Sequence, residues 1–452
     1  MMNAATLEFI RQHASDDVRQ LALRPVADGV DLRQALIQIE GRQLAARKLP
    51  AWAATDGLLF PPRLSLEQCS SEATAHYKRC IVERLLSASS PSAVPATSSP
   101  VPSPSSSPSA VPAASSAFPA PSSSPAAVPA AFAAGPSPSR FMDLTAGFGV
   151  DFAAIAPLFS HATYVERQEH LCDIARHNLP LLGLPNAEVR CSTAEQILQE
   201  LREAPVTLLF LDPARRDAAG RKVALIEDCT PDVCALQEQL RRAARYTLIK
   251  LSPMLDLTAA LRSLQGVVEA HVVSVDGECK ELLVVMASEA PAGEPWIHCS
   301  YSPTAPPLVF RLSEERACCV ALADRLQDYL YEPDAALMKA GAFRILCQRF
   351  PVHKLAADTH LYTSDEFVAD FPGRRWKVSG SSTFAKSELR RLLAGVTAAD
   401  LTLRGFPGSV ATLRKQLHLR EGGSVHFIAT TLADGSRHLI RVEREAHPLP
   451  LL

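Results

Sequence analysis

Along residues 1–87 the apolar positions recur every three to four residues. Leu7 and Ile10 begin the pattern, Leu32, Leu36, Ile39 and Leu44 continue it, and Tyr77, Ile81, Leu85 and Leu86 close it. That spacing predicts amphipathic helices, with 65–86 as one helix. Pro50, Pro61 and Pro62 punctuate the stretch. Over residues 140–289 the period changes. Short apolar runs at 141–145, 163–166, 188–191, 207–211, 247–251, 271–275 and 282–287 read as seven strands. Helical patterns such as 170–181 and 231–243 lie between most of them. Strands alternating with helices predict a mostly parallel, Rossmann-like α/β sheet. Asp276-Gly277 between the last two runs predicts an antiparallel hairpin.

Beyond 290 the pattern predicts two small α+β domains. Over 290–375, strands are expected at 296–301 and 308–312 and helices at 314–330 and 335–347. Over 376–452, strand, helix, strand, helix and a hairpin (425–431 with 438–442) follow in order. Residues 88–139 are almost wholly Ser, Pro and Ala, with no charge and two aromatics, Phe118 and Phe132. Such a composition buries too little apolar surface to offset ordering entropy, so a disordered insert is expected there.

The formal net charge of −2 over 452 residues implies no particular partner. Locally the balance differs: 371–445 holds 13 Lys and Arg against 6 Asp and Glu, an excess of +7. A basic module beside a nucleotide-binding sheet points to a polyanionic substrate. The 11 cysteines form no Cys-x-x-Cys pair, so no structural metal is expected, and scattered thiols fit a reducing cytoplasm. The N-terminus lacks the apolar core of a signal peptide, and no run approaches a membrane span of about 20 residues.

The chemistry centres on 141–151. A strand ends in Asp143, Thr145-Ala146-Gly147-Phe148-Gly149 turns the chain, and a helix is expected over 152–159. Gly147 permits a tight turn, and Gly149 removes a side chain where a ligand approaches. The second strand ends in Glu166, 19 residues after Gly147, where an acid accepts bonds from ribose hydroxyls. Phe152 occupies the place of the third glycine of the dinucleotide fingerprint. Its bulk disfavours a pyrophosphate and suits a nucleoside such as S-adenosylmethionine (SAM).

The fourth strand ends Asp212-Pro213-Ala214-Arg215. The carboxyl end of a central parallel strand faces the ligand crevice. There an acid and nearby carbonyls accept N–H bonds from a target amine, and Arg215 could clamp a phosphate or carboxylate.

Together the 143–151 turn, Glu166-Arg167, Asp212-Pro213-Ala214-Arg215-Arg216 and Lys250-Leu251-Ser252-Pro253 resemble bacterial class I SAM-dependent methyltransferases with a THUMP-like C-terminal domain. The likeness continues in Glu67-Gln68-Cys69-Ser70-Ser71-Glu72-Ala73-Thr74, Gly277-Glu278-Cys279-Lys280-Glu281, Tyr331-Glu332-Pro333-Asp334 and 404–431. It covers nearly the whole chain except 88–139. The resemblance implies a seven-stranded methyltransferase sheet over 140–289 and a helical domain over 1–87. It implies a ferredoxin-like module over 290–375, a THUMP-like domain over 376–452, and an RNA substrate. By position, Asp143, Thr145, Ala146, Gly147 and Gly149 would hold the amino-acid part of SAM. Glu166 would take the ribose hydroxyls, Arg167 beside it would also bind the cofactor, Ser192 and Thr193 would lie near adenine, and Asp212, Pro213 and Arg215 would face the methyl acceptor. Ala146 stands where the family often has a second glycine.

The ends of the fourth and fifth strands carry no cysteine, so a direct transfer to nitrogen is expected rather than carbon methylation through a cysteine nucleophile. Methylation of a protein or small molecule, and a non-catalytic nucleic-acid-binding protein, are the alternatives. Oligomeric state has no signature in the sequence.

Overall fold

The structure, a computed structural model, describes residues 2–87, 139–201, 205–214, 225–290, 292–320 and 322–444. The Ser/Pro/Ala-rich insert, all but residue 139, and Arg215 fall outside the described residues.

One sheet contains β1 (Arg140–Asp143), β2 (His161–Glu166), β3 (Glu188–Cys191), β4 (Val206–Leu211), β5 (Ala244–Leu251), β6 (Val267–Val275), β7 (Glu278–Ala287), β8 (Trp296–Ser300) and β9 (Leu308–Phe310). Their order is β3-β2-β1-β4-β5-β7-β6-β8-β9. Strands β1 to β5 run parallel, and β7 inserts antiparallel between β5 and β6. The expected hairpin forms, with Asp276 (φ 54°) and Gly277 (φ 73°) both left-handed, as a type I′ turn requires.

The sheet is longer than the seven strands expected. The runs at 296 and 308, expected in the following module, extend it at the β6 edge. Ile297 and Cys299 explain the addition: both are fully buried, in the same apolar cluster as Leu337 of the helix Ala335–Ala340.

The N-terminal segment forms six helices ending in Arg63–Gln68 and Glu72–Ser87. The single helix expected over 65–86 is therefore broken. Cys69 is extended (φ −65°, ψ 162°), and the Ser70 hydroxyl bonds the buried Asp151. The last helix packs Ile81, Val82 and Leu85 with Phe141, Tyr164, Leu248 and Leu283 of the sheet. Trp52 and Phe60 set their rings 4.8 and 6.1 Å from Phe148 in the glycine turn.

A second sheet is built from β10 (Tyr329–Pro333), β11 (His353–Lys354), β12 (Tyr362–Ser364), β13 (Gly373–Thr383), β14 (Asp400–Arg404), β15 (His426–Thr431) and β16 (Arg437–Arg444). Its order is β11-β12-β10-β13-β16-β15-β14. The 11-residue β13 pairs β10 on one side and β16 on the other, so the two small units share one sheet. The helix expected over 314–330 stops at Ala317, and its end becomes β10, whose Leu330 and Tyr331 pair with two strands. Tertiary pairing overrides local propensity there. The helix expected over 335–347 divides at Gly341, a left-handed C-cap (φ 74°), into Ala335–Ala340 and Ile345–Arg349. One apolar cluster continues from Leu209, Ile249 and Val284 of the first sheet to Tyr331, Leu337 and Phe371. Among the described residues no helix is long and apolar enough to cross a membrane.

Candidate active site

At the carboxyl end of β1, Asp143 is buried. Its Oδ1 accepts the Thr145 amide at 3.0 Å, while Oδ2 is buried with no hydrogen-bond partner among the described residues. Burial holds this carboxyl well above its ordinary value; the charges of Asp151, Asp212 and Glu166 add to that shift, and the Thr145 amide opposes it.

The glycine turn closes on itself. Gly147 (φ 56°) donates its amide to Glu166 Oε2 at 3.1 Å, and its carbonyl accepts the Tyr164 hydroxyl. Ala146 donates to Val165 O and Gly149 to Ala146 O. Gly149 (φ 91°) begins the helix Val150–Ile155, shorter than the 152–159 expected and continued by a single tight turn over Ala156–Leu158. A Cβ on Gly149 would stand 3.4 Å from the Tyr164 ring.

Glu166, at the end of β2, is buried, and its Oε1 accepts the Gln168 amide at 2.9 Å. Leu144, Thr145, Glu166, Arg167, Gln168, Ser192, Thr193, Glu195, Asp212 and Ala214 line one cleft at the strand ends. The cleft encloses about 680 Å³ of empty space, part of it open to solvent. Of the residues singled out in the sequence, Thr145, Glu166, Arg167, Ser192, Thr193 and Asp212 share this cleft. Asp143, Ala146, Gly147, Gly149 and Pro213 are not in the lining. The Thr193 hydroxyl caps the helix Ala194–Glu200, and Ser192 Oγ bonds Gln196. Gln168 and Glu195 also line the cleft and were not anticipated.

The Thr145 hydroxyl accepts the Asp212 amide at 2.6 Å, tying the β1 turn to the end of β4. Beside Asp212 lies a buried charge network with no assigned role in the sequence reading. Lys250 Nζ, from β5, is 2.5 Å from Asp212 Oδ2 and 3.8 Å from Asp151 Oδ2. Lys78, fully buried on the helix Glu72–Ser87, lies 3.0 Å from Asp151 and 2.8 Å from Glu281 on β7. Burial opposes the ionised form of Asp151, yet Lys78, Lys250 and the Ser70 hydroxyl hold its carboxyl below the ordinary value. Burial likewise opposes the charge on Lys250, and Asp212, Asp151 and Glu281 outweigh it, keeping the ammonium protonated. The N-terminal helical layer thus supplies Ser70 and Lys78 to the floor of the site. The signal was present in sequence: a Lys inside an apolar helical stripe implies a buried carboxylate partner.

Cys69 comes within electrostatic range of Asp212 and Lys250. Its thiol donates to Leu66 O at 3.2 Å, and burial pushes its pKa up. It is therefore a weak nucleophile. Apart from the cleft, Glu269, His271 and His298 place possible metal-ligand atoms within 4.8 Å of one another. The two imidazoles stack 4.4 Å apart at 20°, so a single ion cannot lie in both ring planes. Arg84 also pairs with both oxygens of Glu269.

Comparisons with known proteins match this architecture. Family models match a ferredoxin-like domain at residues 329–372 and a THUMP domain-like region at residues 373–444. The chain is 30% identical to a protein of Porphyromonas gingivalis W83 whose crystal structure is described as a "putative methyltransferase". That match covers 98% of both chains with a TM-score of 0.76. It is also 26% identical over 297 residues to an "uncharacterized S-adenosylmethionine-dependent methyltransferase" of Mycobacterium tuberculosis, 65% of this chain and 78% of that one. Full-length likeness to the Porphyromonas protein in sequence and fold, with a Mycobacterium relative named for its dependence on SAM, establishes that the chain belongs to this family of SAM-dependent methyltransferases.

Proposed function

We propose that this methyltransferase modifies RNA, by direct transfer of the methyl group to a nitrogen atom. The observation that carries the reading is the placement of Asp212. Its side chain is 36% exposed at the rim of the cleft that contains Glu166, with Lys250 held on one of its oxygens. The other oxygen is left to accept an N–H of the acceptor.

The donor and acceptor set fits SAM. Asp143 Oδ2 is a buried carboxylate oxygen with no hydrogen-bond partner among the described residues, and the methionyl ammonium of SAM supplies a complementary donor. The Thr145-Ala146-Gly147-Phe148-Gly149 turn would pack around the amino-acid part. Glu166 Oε2 accepts the Gly147 amide and keeps a lone pair for a ribose hydroxyl, while Oε1 accepts both the backbone and the side-chain amide of Gln168. Arg167, Ser192 and Thr193 would border the base. Bound there, SAM supplies an electrophilic methyl group on a sulfonium. The protein's remaining task is alignment: the Thr145–Asp212 bond fixes the acceptor acid relative to the donor turn. With Cys69 bonded and its thiol pKa raised, a covalent cysteine route is disfavoured.

RNA is favoured by the C-terminal unit. Residues 373–444 match the THUMP domain-like model, and Lys377, Lys386, Arg390, Arg391, Lys415 and Arg437 are exposed, with no ion pair among the described residues. Part of the basic excess is structural, since Arg374 and Arg404 both bond Glu332. Transfer of labelled methyl from SAM to RNA purified from cells lacking the gene tests the reading. Label in a single methylated nucleoside supports it. Label in protein or small molecules alone contradicts it, and a covalent adduct trapped on 5-fluoropyrimidine RNA contradicts direct transfer.

A further inference from the structure

Two thiols sit behind the carboxylate assigned to the ribose. Cys191 ends β3 directly opposite Glu166 in the β2–β3 ladder. Cys172 lies in the second turn of the helix Glu169–Leu181, which leaves the end of β2. The sulfurs dock on successive carbonyls: Cys172 Sγ donates to Glu166 O at 3.2 Å, and Cys191 Sγ to Arg167 O at 3.8 Å. Burial, with the neighbouring Cys191 thiol adding to it, pushes Cys172 up to about 12. Cys191 is exposed and Cys172 is buried. The residues bracketing the pair, Glu166, Arg167 and Ser192, all line the cleft.

We propose that Cys172 and Cys191 are an oxidative modification site that closes to a disulfide and thereby weakens cofactor binding. The inference rests on the assignment of this cleft to SAM. The oxidant is hydrogen peroxide. Its O–O bond breaks as the exposed Cys191 sulfur takes one oxygen, giving a sulfenic acid and one water. The Cys172 thiol then displaces that hydroxyl, the S–S bond forms, and its proton leaves in a second water. The high pKa of Cys172 makes this second step slow at neutral pH. An S–S bond of about 2.0 Å draws together two sulfurs that now rest on separate carbonyls. Closure therefore withdraws the Cys172 bond from Glu166 O and shifts the chain that presents Glu166 and Ser192.

The test uses the full-length protein, peroxide, and S-adenosylhomocysteine (SAH) as the probe. Non-reducing peptide mapping should find Cys172 linked to Cys191. Calorimetry should show SAH affinity falling by at least about tenfold, with recovery after dithiothreitol. Cys172→Ser and Cys191→Ser should bind SAH like the reduced protein and lose the peroxide response. Absence of the linked peptide, unchanged affinity in the linked protein, or a response that persists in both serine variants overturns the proposal. Failure of the reduced wild-type protein to bind SAH overturns the SAM assignment itself, a result separable from the others.

Discussion

Lys250 Nζ lies 2.5 Å from Asp212 Oδ2, and behind it Asp151 Oδ2 lies at 3.8 Å. One oxygen of Asp212 is therefore fixed from within the protein while the residue keeps an exposed side. Lys250 is not among the residues lining the cleft, so in the proposed reaction the pair would align the acceptor without touching the cofactor. Lys250→Met should lower the methyl-transfer rate by about 10- to 100-fold, the scale of one charge-assisted hydrogen bond. SAH affinity should stay within about twofold, as no cofactor contact is assigned to Lys250. Titration calorimetry beside single-turnover transfer checks both. Loss of SAH binding would place Lys250 at the cofactor instead.

Lys78 neutralises two buried carboxylates, Asp151 and Glu281, from the N-terminal layer. Lys78→Met leaves both without that cation and should cost about 3–5 kcal/mol of folding stability. Adding Glu281→Gln removes one of the stranded charges and should return part of the loss. Denaturant unfolding of the single and double variants measures this. Additive destabilisation would show that the two residues are uncoupled.

The sequence reading reached the parts of this site that lie close together along the chain. The 143–149 turn, Glu166 and Asp212-Pro213 follow strand ends, and strand ends are legible from apolar runs. The Asp276-Gly277 hairpin was legible because both residues accept left-handed conformations. What stayed hidden depends on pairing between distant segments. Ser70 and Lys78 meet Asp151 and Glu281 across 81 and 203 positions of sequence. A Lys inside the apolar stripe of a helix signals that a buried acid must meet it, yet nothing local says which distant acid that is. Strands β8 and β9 have ordinary strand patterns, and nothing local says which sheet takes them. Residues 314–330 read as helix because helical spacing persists there, yet β10 is claimed by two neighbouring strands.

Asp143 gives a pH signature. Burial raises its carboxyl value in the folded protein. A raised folded value means that the folded state holds the proton more tightly than the unfolded chain. The stability this contributes is full below the ordinary carboxylate value near about 4, and is lost as pH rises through the folded value. The cofactor-free protein should therefore lose stability as pH rises across that window. Asp143→Asn should flatten the loss, raise the Tm of the cofactor-free protein at neutral pH, and weaken SAH binding. Because an ammonium favours the ionised acid, SAH binding should release protons within the same window. Calorimetry in buffers of different ionisation enthalpy detects that release, and its absence in the wild type would remove Asp143 from the ammonium site.

Gly149 holds φ at 91° with the Tyr164 ring 3.4 Å from where a Cβ would stand. Gly149→Ala should cost about 1–2 kcal/mol from the left-handed conformation alone. It should also reduce SAH affinity by displacing the turn. A thermal scan and a binding isotherm measure the two effects, and an Ala variant of unchanged stability would contradict the backbone reading.

The central claim is methyl transfer to RNA beside Asp212. The most direct measurement is incorporation of labelled methyl from SAM into RNA from cells lacking the gene, comparing wild type with Asp212→Asn. Label is expected in one methylated nucleoside with the wild type, and loss of that label in Asp212→Asn while SAH binding persists. Unmethylated RNA with the wild type, or equal labelling by the variant, would contradict it.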